Sequence, residues 1–277
     1  MTTRRTFLRT ALLGAAAGSI PGFARAVAIE GRQTTRTAGA APAIIDWHAH
    51  WVGPRVVELL AARPSPRPPQ GAGWFDIDSR LRHMDEAGVQ RQILSWVGAA
   101  YDGILSPDEA RPIWRAQNDN VAAVAKKYPA RFSGLATLPT ANLAWAAEEL
   151  ERAHTQLGLI GAVLPLDAFV TLAGARTLAP IFAVAQKHRS HIFVHRGPAA
   201  LDIRRVYLDT GASGRGPRGI ALAAKVFGAD RILFGSDSGP TESIVPVIES
   251  VKQAALTADE KALIFSGNGL RLLASRT

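Results

Sequence analysis

The sequence predicts an α/β protein of the TIM-type (β/α) barrel class, and three observations support this prediction. Short apolar runs alternate with longer amphipathic stretches from Ala43 onward, which is typical of parallel strands covered by helices on both faces. Polar residues directly follow several of these runs, at the strand ends where barrels of this class place their sites. No Gly-rich phosphate loop follows the first run, which argues against the alternative, an open doubly wound sheet.

About seven strands are recognisable, whereas a closed barrel of this class needs eight, so we expect an incomplete barrel. The predicted strands are residues 43–47, 92–97, 132–138, 161–166, 191–195, 206–209 and 231–235. Helices are predicted at residues 79–87, 108–128, 143–157 and 219–227, each followed by a Gly or Pro that ends it. Thr257 and Glu260 form a capping box at the start of a last helical region.

The composition excludes several kinds of site. The chain has 277 residues, enough for one large domain, and no cysteine. Disulfides, thiolate nucleophiles and Cys-ligated zinc are therefore excluded, and any metal site must use His, Asp or Glu. The net charge of +9 comes from scattered basic residues without interleaved aromatics, so we do not expect nucleic-acid binding.

The N-terminal residues resemble an export signal. Arg4-Arg5-Thr6-Phe7-Leu8-Arg9 precedes a mild apolar run and then Ala24-Arg25-Ala26, the order of a basic region, an apolar region and a cleavage site. The paired arginines predict a twin-arginine signal over residues 1–26, with the export machinery as partner and a periplasmic location; a Sec signal or an ordinary tail is the alternative. The apolar run is too short for a stable membrane span. Residues 27–42 are a predicted linker, and the barrel occupies residues 43–277.

Two histidines follow the first predicted strand. His48 and His50 lie two residues apart, so on an extended segment their side chains project to the same side. Both imidazoles are expected to point into the mouth of the barrel, which is the end formed by the carboxyl ends of the strands. Trp47 and Ala49 are then expected to face away. An isolated pair of this kind is weak evidence for a metal site, because buried histidines are common.

Two further candidates end later strands. His195 ends the run 191–194, and Asp237 follows the run 232–236. Parallel strand ends converge at one mouth, so we expect these side chains to meet His48 and His50 there. Three imidazoles and one carboxylate suit a divalent metal ion, with Zn²⁺ expected first.

Three residues are candidates for handling a small-molecule substrate. Asp237 is the only carboxylate among the four predicted ligands, so it is also the candidate catalytic residue that moves a proton. Arg196 could hold a substrate carboxylate, against the alternative of a structural or surface salt bridge. Asp209 could line the mouth and contact substrate, or it could cap the turn at residues 210–214.

Several motifs resemble the amidohydrolase-related family that includes aminocarboxymuconate-semialdehyde decarboxylase. The matching segments are Ile45-Asp46-Trp47-His48-Ala49-His50, Met84-Asp85-Glu86-Ala87-Gly88-Val89, Asn118-Asp119-Asn120, Tyr128-Pro129-Ala130-Arg131-Phe132, Ile192-Phe193-Val194-His195, residues 228–237 and Ser266-Gly267-Asn268. The resemblance implies a metal-dependent hydrolase or decarboxylase acting on a small, carboxylated, often aromatic-derived substrate. It maps the family's ligand set onto His48, His50, His195 and Asp237.

The chain departs from this family between His195 and Asp209. Family members usually carry a further strand there that ends in a His, or sometimes an Asn, within a long insertion, and only residues 197–205 occupy the interval here. The family's proton-handling residue is thus missing. The alternative prediction is a degenerate, catalytically weak barrel that still binds metal. A missing strand also exposes hydrogen-bonding edges, which predicts a homo-oligomer or a helix that fills the gap.

Overall fold

The computed structural model describes residues 43–64, 68–69, 71–96, 105–169, 171–195, 207–211, 216–239 and 244–275. The predicted signal (1–26), the predicted linker (27–42) and Arg196 lie outside the described residues. None of the helices in the described ranges combines the length and the apolar composition that a bilayer crossing requires.

Strands and helices alternate along the described chain, as the sequence predicts. The strands are β1 (Ile44–His50), β2 (Val89–Ser95), β3 (Phe132–Thr137), β4 (Gly161–Pro165), β5 (His191–His195), β6 (Leu208–Asp209) and β7 (Ile232–Leu233). The α-helices are α1 (Pro54–Ala61), α2 (Ile77–Ala87), α3 (Pro107–Lys127), α4 (Leu143–Thr155), α5 (Leu172–Thr177), α6 (Ala179–His188), α7 (Gly216–Phe227), α8 (Val245–Gln253), α9 (Ala258–Ala262) and α10 (Asn268–Ala274). The short helices Ala72–Trp74, Leu166–Phe169, Ala229–Arg231 and Leu263–Gly267 complete the set.

The strands form parallel sheets, which confirms the α/β class. β1 to β5 pair in sequence order in one five-stranded parallel sheet. The sixth and seventh predicted strands are reduced to two-residue segments, β6 and β7, which pair with each other. The residues after β7 run beside β1: Trp47 N–H donates to the Phe234 carbonyl at 2.8 Å, and His50 N–H donates to the Ser238 carbonyl at 2.6 Å.

The five-stranded sheet is strongly curled. The rings of Trp47 on β1 and His191 on β5 lie 5.2 Å apart, although three strands separate these two strands in the sheet. In a flat sheet, four strand spacings of about 4.8 Å would keep β1 and β5 nearly 20 Å apart. Side chains of β1 and β5 therefore meet across the concave interior.

An irregularity in β1 changes which residues face this interior. The pairing register of β1 with β2 shifts between Asp46 and Ala49. Before the shift, Ile45 and Trp47 pack in an interior apolar cluster with Ile93, Leu135, Val163 and Leu233. The prediction that Trp47 faces away from the interior is therefore wrong, because strict alternation does not survive a bulge-like shift. Ala49 does pack outside, in the cluster shared with the helices.

Local signals fix the ends of several helices. Gly88 ends α2 in the left-handed conformation (φ 70°), and Thr257 with Glu260 forms the predicted capping box on α9. Helix α2 begins two residues earlier than predicted, because the Asp76 side chain accepts hydrogen bonds from the Asp78 and Ser79 amides.

Candidate metal centre

Three segments bring the four predicted ligands together at the mouth of the barrel. His48 and His50 end β1, His195 ends β5, and Asp237 lies just after β7. One ligand atom from each side chain lies within 4.8 Å of all the others. Among the described residues, this is the one group of three or more His, Asp or Glu side chains with such an arrangement.

The distances within this group suit a divalent cation. The Nε2 atom of His50 lies 3.1 Å from Nε2 of both His48 and His195. Oδ1 of Asp237 lies 3.1 Å from His48 Nε2 and 3.3 Å from His50 Nε2. A cation bound at about 2.1 Å would separate neighbouring ligand atoms by about 3.0–3.4 Å in tetrahedral or octahedral geometry. The residues present therefore fit a metal ion, and these distances alone accept either geometry.

The outer nitrogens of two imidazoles are engaged, which directs their Nε2 atoms inward. His48 Nδ1 lies 2.9 Å from Asp209 Oδ1, and His50 Nδ1 lies 3.2 Å from the Ser95 hydroxyl. A carboxylate beside Nδ1 keeps the proton on that nitrogen and leaves the Nε2 lone pair free to bind metal. Asp209 thus acts on His48 in the way that partners of metal-binding histidines do.

Carboxylates draw positive charge to the centre. Burial lowers the pKa of His48, but Asp209 and Asp237 outweigh burial and raise this pKa to about 10. Burial raises the pKa of Asp237, but the hydrogen bonds with His48 and His50 outweigh it and hold that pKa well below its usual range. The carboxylates thus stabilise either a proton on His48 or a cation among the ligands.

The other two imidazoles stay neutral at physiological pH. Burial, reinforced by His50 and His48, lowers the pKa of His195 to about 3. Burial is also the largest influence on His50, whose pKa falls below its ordinary value. Neutral imidazole is the form that binds metal, so these two side chains are in the required state.

The backbone around Asp237 is closely fitted to β1. Asp237 has a positive φ of 57°, and its N–H donates to the His48 carbonyl at 2.6 Å. Asp tolerates this left-handed conformation better than most residues do. Nearby, a Cβ added to Gly235 would lie 2.6 Å from Cβ of His48, so only glycine allows this approach.

The sequence analysis did not single out Asp46, which is fully buried beneath the centre. Asp46 accepts hydrogen bonds from both the amide and the hydroxyl of Ser236, at 2.9 and 2.5 Å, and from the His48 amide. Burial raises the pKa of Asp46, against the effect of these hydrogen bonds. An acid two residues before His48, within an apolar run, was the available signal.

The remaining predicted site residues have separate outcomes. Asp209 bonds to His48 and also accepts the Gly211 amide at 2.7 Å, so it holds a ligand and caps a turn at once. Arg196 is not among the described residues. Arg80 was also missed, although an arginine on the apolar face of a predicted helix is unusual enough to mark it.

Comparison with known proteins places these features in a family. The family model described as Amidohydrolase matches residues 45–204. Gamma-resorcylate decarboxylase of Polaromonas sp. (strain JS666 / ATCC BAA-500) is 40% identical over 87 residues, which cover 31% of this chain and 27% of the relative. The 2-amino-3-carboxymuconate-6-semialdehyde decarboxylase of Dictyostelium discoideum is 29% identical over 121 residues, covering 44% of this chain and 34% of the relative. The matched segments thus span about a third or less of these relatives.

Solved structures share the fold over most of the chain. The 5-carboxyvanillate decarboxylase of Sphingomonas paucimobilis superposes with a TM-score of 0.71 at 17% identity, covering 84% of this chain and 99% of that chain. The dihydroxybenzoic acid decarboxylase of Polaromonas sp. JS666, solved with bound manganese and 2-nitroresorcinol, gives a TM-score of 0.64 at 21% identity, covering 86% and 98%. Because the family model matches more than half of the sequence, this chain belongs to the amidohydrolase family.

Proposed function

We propose that this protein is a metal-dependent carboxy-lyase that removes a carboxyl group from a small aromatic or aromatic-derived acid. The observation that carries the proposal is the convergence of three imidazole nitrogens and one carboxylate oxygen within 4.8 Å. The relatives support the choice of decarboxylation over hydrolysis, because both curated relatives and both solved structures named above are decarboxylases. We also infer that the fold is a TIM-type barrel that lacks one strand-helix unit between β5 and β6.

The proposed ligands are His48, His50, His195 and Asp237. When bound, a divalent cation supplies Lewis-acid polarisation of a substrate oxygen. Zn²⁺ suits three imidazoles and a carboxylate, and manganese is present in the Polaromonas decarboxylase structure. Measuring the metal that copurifies, and reconstituting the chelated protein with Zn²⁺ or Mn²⁺ separately, decides between them.

The chain's own residues handle the substrate and the proton. In decarboxylation the C–C bond breaks, CO₂ leaves, and a proton takes its place on the carbon. We assign that proton to Asp237, the carboxylate at the centre of the four side chains. Arg196, next to His195 in the sequence, is proposed to hold a substrate carboxylate, and Asp209 to keep His48 oriented towards the substrate.

Metal analysis tests the centre itself. Purified parent protein should hold close to one equivalent of a divalent metal, and a His195→Ala variant should lose most of it. His154→Ala is the matched control, because His154 contacts Ser190 on the outer surface and should leave the metal content unchanged. A parent protein without stoichiometric metal would remove the proposed function.

Turnover separates the proposal from its alternatives. The reconstituted protein should release CO₂ from one or more members of a panel that includes 2,6-dihydroxybenzoate and 5-carboxyvanillate, and Asp237→Asn should abolish that release. Hydrolysis of lactones or amides without CO₂ release would favour the hydrolase branch. Metal binding without turnover on either panel would favour the degenerate, catalytically weak barrel.

We further propose that residues 1–26 direct twin-arginine export to the periplasm. The support is the sequence Arg4-Arg5-Thr6-Phe7-Leu8, followed by a short apolar run and Ala24-Arg25-Ala26. In a bacterium with this pathway, the chain should appear in the periplasmic fraction and be shortened by about 26 residues. Replacing both arginines by lysine should retain it in the cytoplasm, whereas export that survives the replacement would indicate a Sec signal.

A further inference from the structure

Arg80 joins four segments of the chain directly beneath the metal centre. It lies on α2, and only 5% of its surface is exposed. Its Nη2 donates to the backbone carbonyls of His50 at 2.5 Å and Gly73 at 2.6 Å. Its Nη1 donates to the Ser238 hydroxyl at 2.8 Å and to Gln92 Oε1 at 3.1 Å. One guanidinium group therefore contacts the end of β1, the Ala72–Trp74 turn, β2 and the segment that follows Asp237.

The charge of Arg80 is not explained by an ion pair. Within the described residues no carboxylate lies within salt-bridge distance of its guanidinium, and Asp46 is connected to it only through Gln92, whose Nε2 donates to Asp46 Oδ2 at 2.8 Å. Burial lowers the pKa of Arg80 to about 10, so it remains charged at neutral pH. A buried cation without a direct partner costs free energy. Stability alone is therefore a poor reason for an arginine at this position.

The contacts of Arg80 bear on two proposed ligands. The His50 carbonyl accepts from Arg80, while the His50 N–H donates to the Ser238 carbonyl at 2.6 Å. Ser238, the residue after Asp237, receives a second hydrogen bond from Arg80 at its hydroxyl. The planar guanidinium presents its donors in a fixed fork, so the spacing between the two acceptors is constrained.

We propose that Arg80 is a positioning residue of the metal centre, whose guanidinium fixes His50 relative to Asp237 so that their ligand atoms meet at one cation. The inference rests on the proposed function, because it assumes that these side chains bind metal. It assigns no contact between Arg80 and the metal or the substrate.

Cobalt binding to the full chain tests this role. Co²⁺ is titrated into chelated protein against a competing chelator, and its visible absorption spectrum is recorded. Arg80→Met should weaken Co²⁺ affinity about 10- to 100-fold, as is typical when the partner of a ligand is lost, and should change the spectrum. Arg152→Met is the matched control, since Arg152 is a partly buried arginine paired with Glu149 and Asp119 on the outer helices. It should leave affinity within about twofold of the parent and the spectrum unchanged.

The outcomes distinguish this inference from the proposed function. A folded Arg80→Met protein with the parent's Co²⁺ affinity and spectrum would overturn the positioning role and leave the proposed function intact. A parent chain that binds no Co²⁺ would remove both. If Arg80→Met does not fold, Ser238→Ala removes one of the Arg80 hydrogen bonds with little change in shape. Weaker Co²⁺ binding and an altered spectrum in that variant support the role, and parent-like values contradict it.

Discussion

Asp209 contacts the outer nitrogen of His48, on the side away from the other ligand atoms. The contact between its Oδ1 and His48 Nδ1 is 2.9 Å, and the same oxygen accepts the Gly211 amide. A single carboxylate therefore sets both the tautomer and the ring orientation of a proposed ligand. Its effect should be visible in metal affinity even where the fold is intact.

We predict that Asp209→Asn weakens metal binding about 10- to 100-fold, because a neutral amide holds the Nδ1 proton of His48 less firmly. Competition with a chelator measures the change. Asp230→Asn is the control, since Asp230 is exposed and its described ion pair is with the neighbouring Arg231. Equal affinities in the parent and Asp209→Asn would show that the carboxylate does not support His48.

At the scale of elements, a buried asparagine joins α3, β3 and α4. The Asn118 side chain accepts the Thr137 amide at 2.8 Å and donates to the Thr137 carbonyl and to Glu149 Oε1. Glu149 is itself buried, and Arg152 balances its charge. Both groups of Thr137 and a carboxylate therefore depend on one side chain.

We predict that Asn118→Ala lowers the free energy of unfolding by about 3 kcal/mol, because it leaves buried polar groups unsatisfied. Asn120→Ala, two residues along the same helix, should cost less than about 1 kcal/mol, since its described hydrogen bond is to the Ala116 carbonyl of its own helix. Urea denaturation of both variants gives the comparison. Similar losses in the two would contradict a joining role for Asn118.

The elements that the sequence predicted best are those with strong local signals. Apolar runs bounded by Gly or Pro placed β3, β4 and β5 within a residue or two, and the capping box at Thr257 is confirmed. The strands β6 and β7 are shorter than predicted, because apolar character does not show where a partner strand ends. The bulge in β1 was not foreseen, since it depends on pairing with β2.

The candidate site divides along the same line. His48, His50, His195 and Asp237 could be proposed because each ends an apolar run, and parallel strands share one mouth. The supporting contacts could not, because Asp46 and Arg80 act across long sequence separations: Ser236 lies 190 residues from Asp46, and Ser238 lies 158 residues from Arg80. Such pairings depend on tertiary packing that no local pattern encodes.

For the whole molecule, metal binding should raise thermal stability, because the ligands come from three distant segments. At a free metal concentration 100 times Kd, the gain is about 2.7 kcal/mol, or a rise in Tm of about 5–10 °C for a domain of this size. Differential scanning calorimetry of chelated and metal-saturated protein measures it. His195→Ala should show little rise, and an equal rise in that variant would indicate binding elsewhere.

We also predict self-association. In the described part of the chain, β5 pairs with β4 alone and β6 pairs with β7 alone, so each has one side without a described strand partner. Open strand edges favour pairing with another chain. Light scattering of the purified protein should give the mass of a dimer or larger assembly. A monomer at all concentrations would mean that the edges are covered from within.

The interior position of Trp47 has a consequence for access to the metal centre. Its indole lies below His48 and His50 on the same strand, contacts His191 across the barrel, and packs with the apolar cluster that fills the interior. A molecule cannot pass through this plug, so a substrate must arrive and a product must depart through the same opening. The reaction chamber is a blind one, and CO₂ and the remaining aromatic product would share a single exit.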